Sequence, residues 1–206
     1  TFSVRICLVL NQNLNTLNSY DFSFLIMKEL STKQRTTPVP GQTPIPQPEA
    51  LIRQLQQQIP PAGDLLMIGI HSGGVIIAQR LHKALAIAEP LGMLDINFYR
   101  DDFSQVGLQP VIRSSHLPWD FDARNILLVD DILHTGRTVR AAMNALFDYG
   151  RPASIRLAVL LDRGGRELPV QPDYLGLLLP LQAQQHIKLI QDQALYFLFR
   201  DDPPCR

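Results

Sequence analysis

From residue 65 onward, apolar residues alternate between two patterns. Apolar runs at 65–70 and 126–129, and the segment 155–161, whose one polar residue is Arg156, are typical of strands that are buried on both faces. Segments 75–88 and 139–149 place apolar residues at the three- and four-residue spacing of a helix that packs on a core. Strands that alternate with helices predict an α/β fold, doubly wound, with a mainly parallel sheet.

The remaining segments have shorter sequence patterns, which predict one helix, one loop and several strands. Residues 49–59 predict a short helix, which the following prolines Pro60 and Pro61 end. Residues 101–123 form a long polar segment, which predicts a mobile loop or hairpin. Further strands are expected at 94–99 and around 174–179, 187–190 and 195–199.

The first part of the chain differs in composition from the rest. Residues 11–18 are rich in asparagine, and residues 36–48 are rich in proline, which predicts a linker in polyproline II conformation. We therefore expect residues 1–45 to be a disordered or non-native extension. Residues 46–206 have the length of a single domain.

Composition excludes several classes of protein. The chain of 206 residues is 46% hydrophobic, which is enough for a sizeable core, and its zero net charge gives no basic field that would attract nucleic acid. Cys7 and Cys205 stand near opposite ends of the chain, so we expect neither a disulfide framework nor a metal cluster, and a cytoplasmic location. No apolar run has the length of a membrane span, and no signal peptide is expected.

The most specific chemical pattern follows the apolar run at 126–129. Asp130 and Asp131 come directly after this run, and ligands of parallel sheets gather beyond the carboxyl ends of the strands. A pair of acids also ends strands in receiver domains and in Walker B segments. Those proteins do not require the Thr-Gly-Arg-Thr sequence that follows here at 135–138.

This turn leads into the helix predicted at 139–149. The free N–H groups and the positive dipole end of a helix N-terminus attract a phosphate. Gly136 lets the backbone approach an anion closely, and three neighbours can add hydrogen-bond donors: Thr135, Arg137 and Thr138. The segment can therefore hold a phosphate at one end and ribose hydroxyls or a metal at the other.

Residues 126–138 resemble the phosphoribosyl diphosphate (PRPP) signature of type I phosphoribosyltransferases, which has hydrophobic residues, two acids and then Thr-Gly-Arg-Thr. Residues 161–169 narrow the resemblance to the pyrimidine operon attenuation protein and uracil phosphoribosyltransferase family, over roughly residues 46–199. The resemblance implies the type I fold with a small hood and a flexible loop. It also implies a homodimer or larger assembly.

The same resemblance implies a reaction in which uracil and PRPP give UMP and diphosphate, with Mg²⁺ carried by PRPP. Asp130 and Asp131, with Arg100, would form the catalytic set. The 5′-phosphate loop, residues 134–138, would comprise His134, Thr135, Gly136, Arg137 and Thr138. Uracil would lie against the base segment, residues 161–169, at Leu161, Asp162 and Arg163.

The resemblance assigns the leaving group to a diphosphate loop, residues 71–74, which comprises His71, Ser72, Gly73 and Gly74. Backbone amides of a tight turn can hold such an anion. A tight strand-to-helix turn that needs two glycines for packing alone remains open as an alternative. Many relatives carry a basic residue where this chain has Gly73.

Family members that attenuate transcription bind messenger RNA with basic residues. Of three such positions, this chain retains Arg166, but it has Gln171 where arginine is usual and Leu177 where lysine is usual. Together with zero net charge, this argues against RNA binding. The main alternative is a UMP-sensing attenuator of pyr mRNA with weak or no catalysis. A nucleotide sensor that acts on a protein partner and a purine phosphoribosyltransferase are further alternatives.

Overall fold

The computed structural model describes residues 45–60, 64–96 and 115–201. Three sequence predictions lie outside these residues: the extension up to residue 44, the position of Arg100, and the two cysteines. Of the polar segment predicted at 101–123, only 115–123 is described.

The described residues form three helices and seven strands. The helices are α1 (Pro48–Gln58), α2 (Gly73–Ala84) and α3 (Arg137–Tyr149). The strands are β1 (Leu65–Ile70), β2 (Gly92–Leu94), β3 (Asn125–Leu133), β4 (Ser154–Asp162), β5 (Tyr174–Leu178), β6 (Gln185–Gln191) and β7 (Leu195–Asp201).

The first five strands form one parallel sheet in the order β2-β1-β3-β4-β5, which confirms the predicted fold class. Strands β6 and β7 pair with each other in an antiparallel hairpin, which we call the hood. Helices α1 and α2 and the hood cover one face of the sheet, and α3 covers the other. Both faces are therefore buried, which is why the central strands are continuous apolar runs.

Strand β3 is longer than the apolar run that predicted it. It continues through Asp130 and Asp131 to Leu133, because β4 extends beside it and pairs Leu133 with Asp162. The neighbour on the other side, β1, ends at Ile70, one residue past the pair Gly69–Val129. The expectation that the two acids follow the strand was therefore wrong for β3. Asp130 lies level with Ile70, the last residue of β1, and Asp131 lies beyond the end of that strand.

Two helices also begin earlier than their apolar spacing predicted. Helix α2 starts at Gly73, and α3 starts at Arg137, so both predicted anion loops run directly into a helical first turn. The longest helix in the described part of the chain, α3, has 13 residues. None of the helices described is long and apolar enough to cross a membrane.

Candidate active site

Three of the predicted site segments lie side by side at one edge of the sheet. The diphosphate loop follows β1, the phosphate loop follows β3, and the base segment begins in β4. These strands are parallel neighbours, so their carboxyl ends lie together. The structure therefore brings together every predicted site segment that it describes. Arg100 lies outside the described residues.

The acidic pair occupies the centre of this edge. Asp130 is buried and accepts a hydrogen bond from the backbone N–H of Asp131 at 3.0 Å. Burial raises the pKa of the Asp131 carboxyl, while hydrogen bonds with Asp130 and with the backbone of Ile132 act in the opposite direction. Two carboxyl groups, of which that of Asp130 is buried and that of Asp131 half-buried, can hold hydroxyl groups or offset a developing positive charge.

The diphosphate loop is packed tightly against these acids. The peptide bond between His71 and Ser72 is cis, and α2 begins at the next residue. A Cβ atom at Gly74 would lie 2.4 Å from the carbonyl oxygen of Val129, and one at Gly73 would lie 2.1 Å from Oδ2 of Asp131. Close packing by itself therefore leaves no room for a side chain at either glycine, whether or not the turn also binds an anion.

The phosphate loop has a backbone conformation that favours glycine at its centre. Gly136 has a φ of 91°, in the left-handed region that favours glycine. The hydroxyl oxygen of Thr135 accepts a hydrogen bond from the backbone N–H of Arg137 at 3.3 Å. Thr138 lies in the first turn of α3. The loop thus ends at a helix N-terminus, where backbone N–H groups and the helix dipole favour an anion.

Backbone hydrogen bonds and an ion pair attach the phosphate loop to the base segment. The carbonyl oxygen of Thr135 accepts hydrogen bonds from the N–H groups of Glu167 at 3.0 Å and Leu168 at 3.1 Å. The guanidinium of Arg137 pairs with the Glu167 carboxylate, with 2.8 Å between Nε and Oε2. Glu167 is exposed, and this ion pair places its carboxylate next to the phosphate loop.

Arg166 makes a second connection between the two segments. Its guanidinium donates hydrogen bonds to the carbonyl oxygen of His134 and to the carboxylate of Asp162. The pKa of His134 is lowered by partial burial and then by the positive charge of Arg163. The retained arginine of the RNA-binding pattern therefore has partners within its own chain.

The base segment is anchored to the hood by Arg163. This side chain is buried, and its Nη2 donates a hydrogen bond of 2.7 Å to the carbonyl oxygen of Gln185. Its own carbonyl oxygen accepts a bond of 2.9 Å from the N–H of Leu181. In the part of the chain that the structure describes, no carboxylate forms an ion pair with Arg163. No sequence pattern indicated this anchor, because the acceptors are backbone carbonyls about twenty residues away.

A magnesium ion fits this set of side chains only with help from a substrate. Among the described residues, no three histidine, cysteine or acidic side chains come together as a metal site. Asp130 and Asp131 supply two carboxylates, and Mg²⁺ in proteins commonly takes one or two carboxylates together with substrate phosphate oxygens.

Comparison with known proteins agrees with the fold and the motifs. The sequence pattern of the phosphoribosyl transferase domain matches residues 46–191. The bifunctional protein PyrR of Pseudomonas syringae pv. syringae is 47% identical over 163 residues, which cover 76% of this chain and 96% of that protein. PyrR of Pseudomonas paraeruginosa is 54% identical over 123 residues, which cover 60% of this chain and 72% of the relative.

Solved structures of more distant sequence share the fold. A hypoxanthine phosphoribosyltransferase from Staphylococcus aureus superposes with a TM-score of 0.56 at 17% identity, covering 75% of this chain and 83% of that one. A hypoxanthine-guanine phosphoribosyltransferase from Bacillus anthracis has a TM-score of 0.54 at 15% identity, covering 69% of this chain and 86% of that one. The chain therefore belongs to the phosphoribosyl transferase domain family and, within it, to the PyrR proteins.

Proposed function

We propose that this protein is a uracil phosphoribosyltransferase that converts uracil and PRPP to UMP and diphosphate. The observation that carries the proposal is one edge of the sheet, where a helix-terminated phosphate loop, a carboxyl pair and the base segment are adjacent. The membership in the PyrR proteins supports the choice of uracil and of a cytoplasmic location. A homodimer or larger assembly is part of the same proposal, and light scattering would measure it.

The reaction breaks the bond between C1 of ribose and diphosphate, and it forms a bond from C1 to a ring nitrogen of uracil, which releases its proton. The transition state is cation-like, so the protein needs no covalent nucleophile, and catalysis rests on orientation and electrostatics. Residues 134–138 hold the 5′-phosphate at the N-terminus of α3. Asp130 and Asp131 hold the ribose hydroxyls and place negative charge near the cation.

The leaving group and the base complete this assignment. Residues 71–74, at the N-terminus of α2, hold the departing diphosphate. Mg²⁺, when bound through the diphosphate oxygens, would neutralise part of the negative charge of the leaving group. Leu161, Asp162 and Arg163 place the base segment beside uracil, and Arg163 also joins that segment to the hood.

The alternative is a UMP-sensing attenuator of pyr mRNA, which the printed name of the relatives, bifunctional protein, brings into consideration. Two observations weigh against an RNA contact by the residues that the resemblance pointed to. Arg166 is engaged with Asp162 and His134, and Leu177 packs against the core. We therefore place catalysis first.

The test is to mix the protein with PRPP and Mg²⁺ and to add uracil, hypoxanthine or guanine separately, following nucleotide and diphosphate release. We expect UMP from uracil and no product from the purines. The Asp131→Asn variant should lose about 100-fold in kcat, a typical cost of removing one electrostatic contact to a transition state. Tight UMP binding without turnover by the unaltered protein would sink the enzyme proposal and favour the attenuator.

A further inference from the structure

At the centre of the candidate site, the Asp131 carboxyl lies where a side chain at Gly73 would be. A Cβ atom at Gly73 would lie 2.1 Å from Oδ2, 2.3 Å from Cγ and 2.8 Å from Oδ1 of Asp131. All three atoms belong to the carboxyl group, and non-bonded carbon and oxygen atoms do not approach so closely. The carboxyl therefore fills the space that a side chain at position 73 would need.

The backbone at Gly73 does not itself require glycine. The described glycines with positive φ are Gly136, Gly164 and Gly165, so Gly73 adopts a conformation open to any residue. Gly73 is also the first residue of α2, where alanine is intrinsically more favourable than glycine. The reason for glycine at this position must therefore be the neighbour that a side chain would meet.

We propose that Gly73 is a positioning residue, whose missing side chain lets the Asp131 carboxyl lie against the first turn of α2. The inference rests on the proposed function for its catalytic meaning. The diphosphate loop and the acidic pair then form one geometric unit, in which residue 73 sets where the carboxyl meets the ribose. In this chain, a Cβ atom at residue 73 would displace the Asp131 carboxyl from that position.

The burial of the carboxyl agrees with this arrangement. Gly73 covers the group on one side, and the backbone N–H of Asp131 donates a hydrogen bond to the carboxylate of Asp130, the preceding residue of β3. Burial is also the main reason that the pKa of Asp131 is raised. A carboxyl held in a packed contact has a defined position, and a displacement of about 1 Å in an active site can reduce turnover about 100-fold.

Gly74 is a matched control, because its neighbour is of a different kind. A Cβ atom there would lie 2.4 Å from the carbonyl oxygen of Val129 and 3.0 Å from Cα of Asp130. These are backbone atoms of β3, and no shortening of Asp131 can move them. A side chain at residue 73 would thus clash with atoms that a substitution at Asp131 removes, whereas one at residue 74 would clash with backbone atoms that no substitution removes.

The experiment is a double-mutant cycle read first by thermal unfolding, which needs no activity. We expect Gly73→Ala to lower Tm in the unaltered protein and to leave Tm unchanged or raised when Asp131→Ala is also present. Gly74→Ala should lower Tm equally in both backgrounds. Equal losses from Gly73→Ala in both backgrounds would overturn the proposal. If Gly73→Ala alone does not fold, recovery of folding in the double variant supports it, and failure of both variants to fold overturns it.

Kinetics then separate a positioning role from a merely structural one. We expect Gly73→Ala to reduce kcat by about 10-fold to 100-fold while KM for uracil stays within about twofold, because the base segment is untouched. In the Asp131→Ala background the same change should cost no further activity. An unchanged kcat for Gly73→Ala contradicts the proposal. Absence of UMP from the unaltered protein would instead sink the proposed function, while the unfolding cycle would still decide whether residue 73 positions Asp131.

Discussion

The two sides of the candidate site are held together by different forces. On one side, the diphosphate loop lies against β3 through glycines that leave no room for a methyl group. On the other side, the phosphate loop and the base segment are joined by hydrogen bonds and by the ion pair between Arg137 and Glu167. Close packing dominates the first side, and polar contacts at the surface dominate the second.

The difference matches what each side must do in the proposed reaction. Close-packed contacts fix atoms within a few tenths of an ångström, which suits a carboxyl that must meet a short-lived cation. Exposed ion pairs contribute little to stability and exchange readily with water or a ligand. Segments that admit a phosphate and a base benefit from that freedom.

Arg163 should be the most rigid contact on the polar side. Its replacement should change KM more than any other variant described below. Arg163→Gln removes buried charged donors from the carbonyl oxygens of Gln182 and Gln185. A charged hydrogen bond of this kind is worth about 1.5–3 kcal/mol. We expect KM for uracil to rise about 10-fold or more, with KM for PRPP nearly unchanged, in steady-state kinetics.

The matched control for Arg163 is Gln185→Ala, which shortens the side chain and keeps the acceptor carbonyl. We expect its KM for uracil to equal that of the unaltered protein. A rise in KM equal to that of Arg163→Gln would show that the hood side chains, and not the carbonyl anchor, hold the base segment. Arg163 would then not be a rigid contact on the polar side of the site.

A smaller effect, on thermal stability, is expected from the Asp131 carboxyl on the packed side. Burial raises the folded-state pKa of Asp131 above its unfolded value of about 3.9, so the fold prefers the protonated carboxyl. The stability that this preference gives is complete below the unfolded pKa and is lost as pH rises through the folded pKa. Asp131→Asn has no proton to lose, so its Tm should exceed that of the unaltered protein at neutral pH.

Thermal unfolding from about pH 4 to pH 8 would test this sign. The advantage of Asp131→Asn should shrink toward acid pH, where the natural carboxyl is protonated. Asp192→Asn, at an exposed aspartate between β6 and β7, is the control for an aspartate change outside the site. A Tm below that of the unaltered protein at every pH would mean that its surroundings stabilise the Asp131 carboxylate. That result would contradict the expectation that burial destabilises the charged form. Combined with the expected loss of kcat, a gain in Tm would mark a residue kept for function at a cost in stability.

The smallest effect is expected from the exposed pair on the polar side. The Arg137 and Glu167 side chains are 58% and 50% exposed, and exposed pairs contribute about 0–1 kcal/mol. Glu167→Gln removes a carboxylate next to the phosphate loop, so KM for PRPP should fall by less than about fivefold, with Tm unchanged. Glu89→Gln, which breaks the pair with Arg124 outside the candidate site, should leave KM unaltered. A 10-fold or larger change for Glu167→Gln would make this pair part of the rigid framework.

The sequence by itself determined the fold class, the order of the site segments and the family. Apolar runs predicted β1, β3 and β4 because a strand covered on both faces needs apolar residues throughout. The phosphate loop was visible because its glycine and the helical spacing that follows it are local features of the sequence. The parallel neighbours then had to bring their loops to one edge.

Only the tertiary structure decided which groups touch. The continuation of β3 through the acidic pair depends on the length of β4, which is a property of the partner strand and not of the apolar run. The anchor of Arg163 on the hood and the ion pair of Glu167 join residues about 20 and 30 positions apart. The contact of Gly73 with Asp131 was likewise invisible, because sequence patterns record which side chain is missing. They do not record which neighbouring group fills its place, since that depends on the register of strands and on distances of a few ångströms.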